Sequence, residues 1–245
     1  MHPALKRVDH RPWPLPEQPW LHRQSWRDLL FAHWPVPAAA LRAHVPAPLS
    51  VQEFDGTSWV GEVPFRMSGV SGRGLPSVPG LSSFAELNVR LYVEYQGKPG
   101  VWFLSLDAAS RAAVWAARRF FHLPYHHARM RVESASDEVV YDSVRVHDGV
   151  RFEGDYGPIS EVYEARPGTL EHFLTERYCL YARSPSGRLY RGHIHHWPWP
   201  LQAARAEIRE NTLLGPHGIR LPDMPPLLHF SRRLDVVLWL LESLS

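Results

Sequence analysis

Between Phe84 and Asp107 the chain reads FAELNVRLYVEY-QGKPG-VWFLSLD, and this segment constrains the fold more than any other. Glu86, Asn88, Arg90, Tyr92 and Glu94 alternate with Leu87, Val89, Leu91, Val93 and Tyr95. A period of two belongs to an extended strand, whose successive side chains leave on opposite faces. The glycines and proline of QGKPG then turn the chain into a second apolar run, so residues 84–107 are expected to form an antiparallel pair.

The same reading extends along the chain. LSVQEF-DG-TSWVGEVPFRM is expected to be a hairpin, because Asp55-Gly56 tolerates the positive φ of a two-residue turn between runs rich in Val, Phe and Trp. SWRDLLFAHWPVP is an apolar stretch ended by Pro35, and residues 68–82, rich in Gly, Ser and Pro, read as a loop. RMRVESAS-DEVVYDSVRVHDGVRFEGDY offers three strands, the last two joined at Asp148-Gly149, and YCLYARSPSGRLYRGHIHHWPWP a hairpin turning at SPSG. LLHFSRRLDVVLWLLE suits a strand pair or a terminal helix. Helices are short: PAAALRAHVP between prolines, ASRAAVWAARRFF with Ser110 as N-cap, and PGTLEHFLTERY with Thr169 or Gly168 at the cap. At least eight strands with two or three short helices predict a mainly β (β-rich α+β) chain, closed or nearly closed into a β-barrel with helices at its edge. A chain of 245 residues that is 44% hydrophobic can bury a sizeable core, and a single domain over residues 21–245 is expected. Residues 1–20 hold five prolines and read as an extended, appended arm.

Composition narrows the function classes. Net charge is only +2, which gives no field for drawing in nucleic acid. Cys179 is alone, forms no intrachain disulfide, and reads as a buried apolar residue in a reducing compartment. The first twenty residues hold no continuous apolar run, and no stretch approaches the roughly 18 apolar residues of a membrane helix, so a cytoplasmic protein without a membrane partner is expected. No Gly-x-Ser-x-Gly elbow is present, MSGVSGRG reads as a flexible loop, and SGRG is too short for a nucleotide-binding loop. No cofactor is expected; the expected partner is a small-molecule ligand, with a homo-oligomer left open. Lysine occurs only at Lys6 and Lys98, against 25 arginines. Schiff-base catalysis needs a lysine desolvated in a pocket so that its neutral amine can attack a carbonyl. Lys6 in the arm and Lys98 in the QGKPG turn are both expected to be exposed.

SWRDLLFAHWPVP, FDGTSWVGEVPFRM, LPSVPGLSSFAELNVRLYV, KPGVWFLSLDA, ARRFFHLPYHHARM, ERYCLYA and HHWPWPL occur in one order from about Trp26 to Trp239. Together they resemble the YqjF-like family of uncharacterised proteins, which is similar to a distant branch of the acetoacetate decarboxylase-like superfamily. The resemblance implies a β-barrel around a largely apolar central cavity, with a few short peripheral helices. In that superfamily a glutamate on a barrel strand precedes a proline followed by two lysines, the first being the Schiff-base former. The resemblance places Glu86 of FAE at the glutamate, and Tyr125 and His126 of LPYHH at the two lysines. Tyrosine cannot form an imine, so the decarboxylase activity is not implied.

Each candidate site has a structural alternative. The stripe Glu86, Asn88, Arg90 is either a solvated face with Glu86 and Arg90 paired, or the lining of a polar pocket where arginine recognises a carboxylate and Glu86 accepts a proton. Tyr125 and His126 either transfer protons, the phenol donating to a developing oxyanion, or cap a helix end and pack beneath a strand. Arg118 and His127 join Asn88 and Arg90 as ligand-binding candidates. His193 and His195 in HIHH share a strand face at a spacing that two imidazoles can close around zinc, with His126, His127, His172 or Glu86 as third donor; the alternative is a chain with fifteen scattered histidines. Trp197 and Trp199 in WPWP are a binding platform or a seal on the core. Two functions stay open: a non-catalytic protein that binds or senses a small, partly apolar organic molecule, and a lysine-independent enzyme using Glu86, Tyr125 and His126 on a carbonyl or carboxylate.

Overall fold

A computed structural model describes residues 2–78 and 82–244. The chain is mainly β. Its strands are β1 (His22–Val36), β2 (Ser50–Val51), β3 (Ser58–Gly72), β4 (Phe84–Tyr95), β5 (Lys98–Ala108), β6 (Tyr125–Ala135), β7 (Glu138–Arg145), β8 (Arg151–Pro158), β9 (Cys179–Arg183), β10 (Leu189–His195), β11 (Gln202–Asn211), β12 (Leu227–Leu238) and β13 (Glu242–Ser243). Three short helices, α1 (Ala38–Arg42), α2 (Arg111–Phe120) and α3 (Leu170–Thr175), join them.

Local signals are met where turn and cap chemistry dictates them. Gln96-Gly97 and Asp55-Gly56 both take positive φ at each position, as a two-residue reversal requires. The Ser110 hydroxyl accepts from the Ala113 amide at 3.3 Å to cap α2, and Thr169 caps α3 by accepting from the His172 amide at 3.4 Å.

The thirteen strands belong to one sheet that returns on itself. The pairings β1-β3-β4-β5-β6-β7-β8-β11-β12, with β12 back on β1, make a ring of nine strands. A second circuit uses β1, β3, β4, β5 and β12 again and is completed by β9 and β10. Its closing contacts are the parallel pair Val101↔Leu180 and the antiparallel pair Ile194↔Leu238. Gly100 permits the approach of β9: a methyl group there would meet the Cys179 sulfur at 2.7 Å.

The shared strands therefore have two interiors and no solvent face. Leu30, Ala32, Leu87, Val89 and Leu91 point into the first, where they pack with Tyr141, Phe152, Tyr156 and Phe230. Their neighbours Leu29, Phe31 and Tyr92 point into the second, with Val63, Phe65, Leu180 and Trp199. In the first interior two phenols stitch across the ring, Tyr141 donating to the Glu86 carbonyl at 2.7 Å and Tyr156 to the Asp28 carbonyl at 2.9 Å. The solvated-face reading of Glu86, Asn88 and Arg90 is thus overturned: all three are buried, because β4 is covered on both sides.

Several expectations are corrected. Asp55-Gly56 turns a hairpin only one bridge long, Phe54↔Thr57. Beyond it β2 pairs with β4 instead of β3, whose two edges are already taken by β1 and β4. The expected loop of 68–82 starts later, since Ser68–Gly72 continues β3, and residues 79–81 of it lie outside those described. Of the two alternatives for 227–242, the strand one holds and the helix one does not: β12 spans Leu227–Leu238 and β13 begins at Glu242. Lys98 is half-buried at the start of β5, while Lys6 is exposed. The proline-rich arm is docked: Arg11 donates to the Ile194 carbonyl at 2.8 Å, Trp239 donates to the Gln18 carbonyl at 2.7 Å, and Ala4 is buried. Among the described residues no helix is long and apolar enough to cross a membrane.

Candidate functional site

The second interior is not filled. It encloses a cavity of about 270 Å³ lined by residues of β1, β3, β4, β5, β9, β10 and β12, the seven strands of the second circuit. Most of the wall is apolar, including Val63, Phe65, Phe103, Leu106, Leu180 and Ile194. Helix α2 covers one end with Ala113, Ala116 and Ala117, three small residues at helical spacing that let the helix sit close. Arg177, His196 and Trp199 lie towards the other end, beside α3.

Three polar residues of the wall form one stripe, and His22, Gln24, Thr175, Arg177 and His196 add others. Glu86, Asn88 and Arg90 alternate along β4 into the cavity, and Tyr125, paired beside Leu106 at the start of β6, joins Glu86. Burial lifts the Glu86 carboxyl to about 8, and the neighbouring Tyr125 and Asn88 offset only part of that. Tyr125 is itself pushed up, first by burial and then by the Glu86 charge. Near neutral pH both groups hold their protons. Glu86 Oε2 and Asn88 Oδ1 are buried without a partner among the described residues.

Arg90 and Arg177 form the opposite pole. The terminal carbonyls of α3 hold both, satisfying groups that a helix end leaves free. Arg90 Nη2 donates to the Leu174 carbonyl at 2.8 Å and its Nε to the Tyr92 hydroxyl at 3.1 Å. Arg177 Nε donates to the Phe173 carbonyl at 2.7 Å and its Nη1 to Gln52 Oε1 at 2.6 Å. Their guanidinium planes rest on aromatic faces, Arg90 over Phe31 at 5.0 Å and Arg177 over Phe173 at 4.3 Å. Neither has an acidic partner among the described residues, and burial pulls Arg177 down to about 10. Glu94 reaches Arg177 only through Gln52, and two buried cations without an acid in direct contact are costly, so a bound anion would relieve them.

The remaining sequence candidates lie elsewhere. His126 follows Tyr125 in the strand and so faces away from the cavity, where its ring stacks on His147 at 4.9 Å and burial lowers it to about 4. Arg118 and His127 border a separate shallow depression on the outer side of α2, with Arg111, Trp115 and Arg119. His193 and His195 flank the cavity-lining Ile194 and point outward to separate partners. His193 faces Glu242 at 3.4 Å, and His195 donates to the Ala4 carbonyl at 2.8 Å. Among the described residues no group of three His, Cys, Asp or Glu side chains is placed to hold a metal. Trp199 is a buried part of the cavity wall stacked on Trp26, whereas Trp197 is exposed. Neither lysine lines the cavity.

Sequence reasoning missed Arg177, His196 and the inner face of α2. The first lies in ERYCLYA and the second in HHWPWPL, but nothing local shows that either faces a cavity.

The fold and site can be set beside known proteins. The profile of the DUF2071 family, described as "Uncharacterized conserved protein", matches residues 23–235. The uncharacterized protein YqjF of Bacillus subtilis (strain 168) is 46% identical over 232 residues, covering 94% of this chain and 96% of its own. Among solved structures, the enduracididine biosynthesis enzyme MppR, complexed with the condensation product of pyruvate and imidazole 4-carboxaldehyde, superposes with a TM-score of 0.68. It is 14% identical over 93% of this chain and 90% of its own. Acetoacetate decarboxylase from Legionella pneumophila gives a TM-score of 0.64 at 14% identity, over 100% of this chain and 96% of its own. At these identities the structural likeness is one of fold. On the family match and the YqjF identity, this chain belongs to the YqjF-like DUF2071 family, built on the acetoacetate decarboxylase-like fold.

Proposed function

We propose that the protein binds a small, partly apolar organic carboxylate inside the seven-strand circuit, which serves as a β-barrel around the ligand. One observation carries the reading: Arg90 and Arg177 are buried in the cavity wall, held rigidly by α3, and unpaired with any acid among the described residues. A carboxylate offers the charge and the acceptor atoms that these guanidiniums lack, and the apolar wall takes the rest of the ligand. The structure of MppR with a pyruvate-derived product supports the idea that this fold accommodates small organic acids. Titration calorimetry with phenylacetate and with its neutral methyl ester tests it. The acid should bind at least tenfold more tightly, about the worth of a charge-assisted hydrogen bond, and Arg177→Met should abolish the difference. Equal binding of acid and ester would sink the proposal.

A second reading has its own support. Glu86, held near 8 beside the Tyr125 phenol, is a carboxyl poised to exchange a proton with a ligand at neutral pH. Such an enzyme would act without lysine and without His126. A medium-dependent loss of deuterium from the α-carbon of a bound acid, abolished in Glu86→Gln, is its signature; retention of the label in the wild type counts against it.

A further inference from the structure

The hydrogen-bonding inventory of the cavity describes a second group on the ligand. Asn88 Oδ1 and Glu86 Oε2 are buried without a partner among the described residues, on the same face of β4 as Arg90. A buried polar atom left unpaired costs the full desolvation of that atom, so a ligand that pairs with it is selected over one that does not. Arg177 Nη2, also buried and unpartnered, makes the matching demand for an acceptor. Four residues of extended strand set Glu86 about 13 Å from Arg90 at the backbone, so the two demands fall on separate parts of one molecule.

We infer that the cavity selects a carboxylic acid bearing a distal hydroxyl, its carboxylate held by Arg90 and Arg177, its hydroxyl by Glu86 and Asn88, and an apolar body between. This rests on the carboxylate reading above and adds the second recognition element. A hydroxyl fits the pair because it donates and accepts at once. With Glu86 carrying its proton near neutral pH, the carboxyl supplies a donor and the Asn88 oxygen an acceptor. A ketone in that place only accepts, and an ammonium only donates.

Three acids of similar size separate the possibilities by calorimetry at neutral pH. 4-Hydroxyphenylacetate carries the hydroxyl far from the carboxylate, mandelate carries it on the adjoining carbon, and phenylacetate carries none. The expected order has 4-hydroxyphenylacetate at least about tenfold tighter than either of the others, since a site built around a hydroxyl rejects the analogue lacking it. Asn88→Leu should bring 4-hydroxyphenylacetate and phenylacetate within about twofold, while Glu86→Gln, whose amide still donates and accepts, should keep the preference. Equal binding of phenylacetate and 4-hydroxyphenylacetate to the wild type would overturn this inference and leave the carboxylate reading standing. Mandelate binding as tightly as 4-hydroxyphenylacetate, or a preference that survives Asn88→Leu, would overturn the placement of the hydroxyl. Binding of none of the three would overturn both readings. The wild-type comparison decides the main point without any variant.

Discussion

Replacing Glu86 by glutamine should make the protein more stable at alkaline pH and leave it unchanged at acidic pH. The carboxyl is 2% exposed, and burial raises it from an ordinary 4.5 to about 8. The folded chain therefore holds this proton more tightly than the unfolded chain. Between the two values the unfolded state binds fewer protons, so stability falls as pH rises from about 4.5 through 8 and is level on either side. At about 1.36 kcal/mol per pH unit, the interval amounts to about 5 kcal/mol, an upper bound that relaxation of the site trims. Glutamine has nearly the same shape and does not ionise, so it removes this dependence. Glu62, also buried and also raised to about 8, adds a slope of the same sign to both proteins and cancels in the comparison. Guanidinium unfolding at pH 5, 7 and 9 reads the difference directly. The variant should match the wild type within about 1 kcal/mol at pH 5 and exceed it by roughly 2 to 5 kcal/mol at pH 9. Parallel stability curves would refute the claim that Glu86 is folded in its protonated form.

Other outcomes follow from the same structure. Incubation with pyruvate and borohydride should leave the protein without an adduct in the cavity, because neither Lys6 nor Lys98 lines it; stoichiometric labelling of Lys98, read by mass spectrometry, would contradict this. Asp107→Asn should cost about 3 kcal/mol in denaturant unfolding, since Asp107 and Arg145 are both buried and meet at 2.9 Å, leaving the arginine undercompensated. Gly157→Ala should cost more than about 2 kcal/mol, because its methyl would stand 1.9 Å from the Asp137 carbonyl oxygen. Gly215→Ala, with nothing within 4 Å of the added methyl, is the near-neutral control.

Features encoded locally were legible in the sequence. The DG and QG reversals, the Ser110 and Thr169 caps and the alternation of β4 each depend on a few consecutive residues. What the alternation could not reveal is that both faces of β4 are interior, because that depends on β10 meeting β12 and β5 meeting β9, pairings between distant segments. Strand β11 was not legible at all. Its sequence QAARAEIREN is rich in good helix formers, and only the pairing with β8 and β12 makes it extended. At the site, Glu86, Asn88, Arg90 and Tyr125 were found and do converge on one cavity. His126 was grouped with them through the resemblance, as the neighbour of Tyr125, but a strand turns successive side chains to opposite faces. Arg177 escaped because its place depends on the carbonyls of α3 and on Gln52, which is 125 residues away.

The proposed binding mode puts a carboxylate on Arg90 and Arg177 inside the seven-strand circuit. A crystal structure of the protein grown with saturating phenylacetate tests it most directly. Carboxylate oxygens should lie about 3 Å from Arg90 and Arg177 Nη2, with the phenyl ring against Phe103 and Leu106. A ligand bound instead at Arg111, Arg118 and Arg119 on the outer side of α2, or a cavity that stays without phenylacetate at saturation, would contradict it.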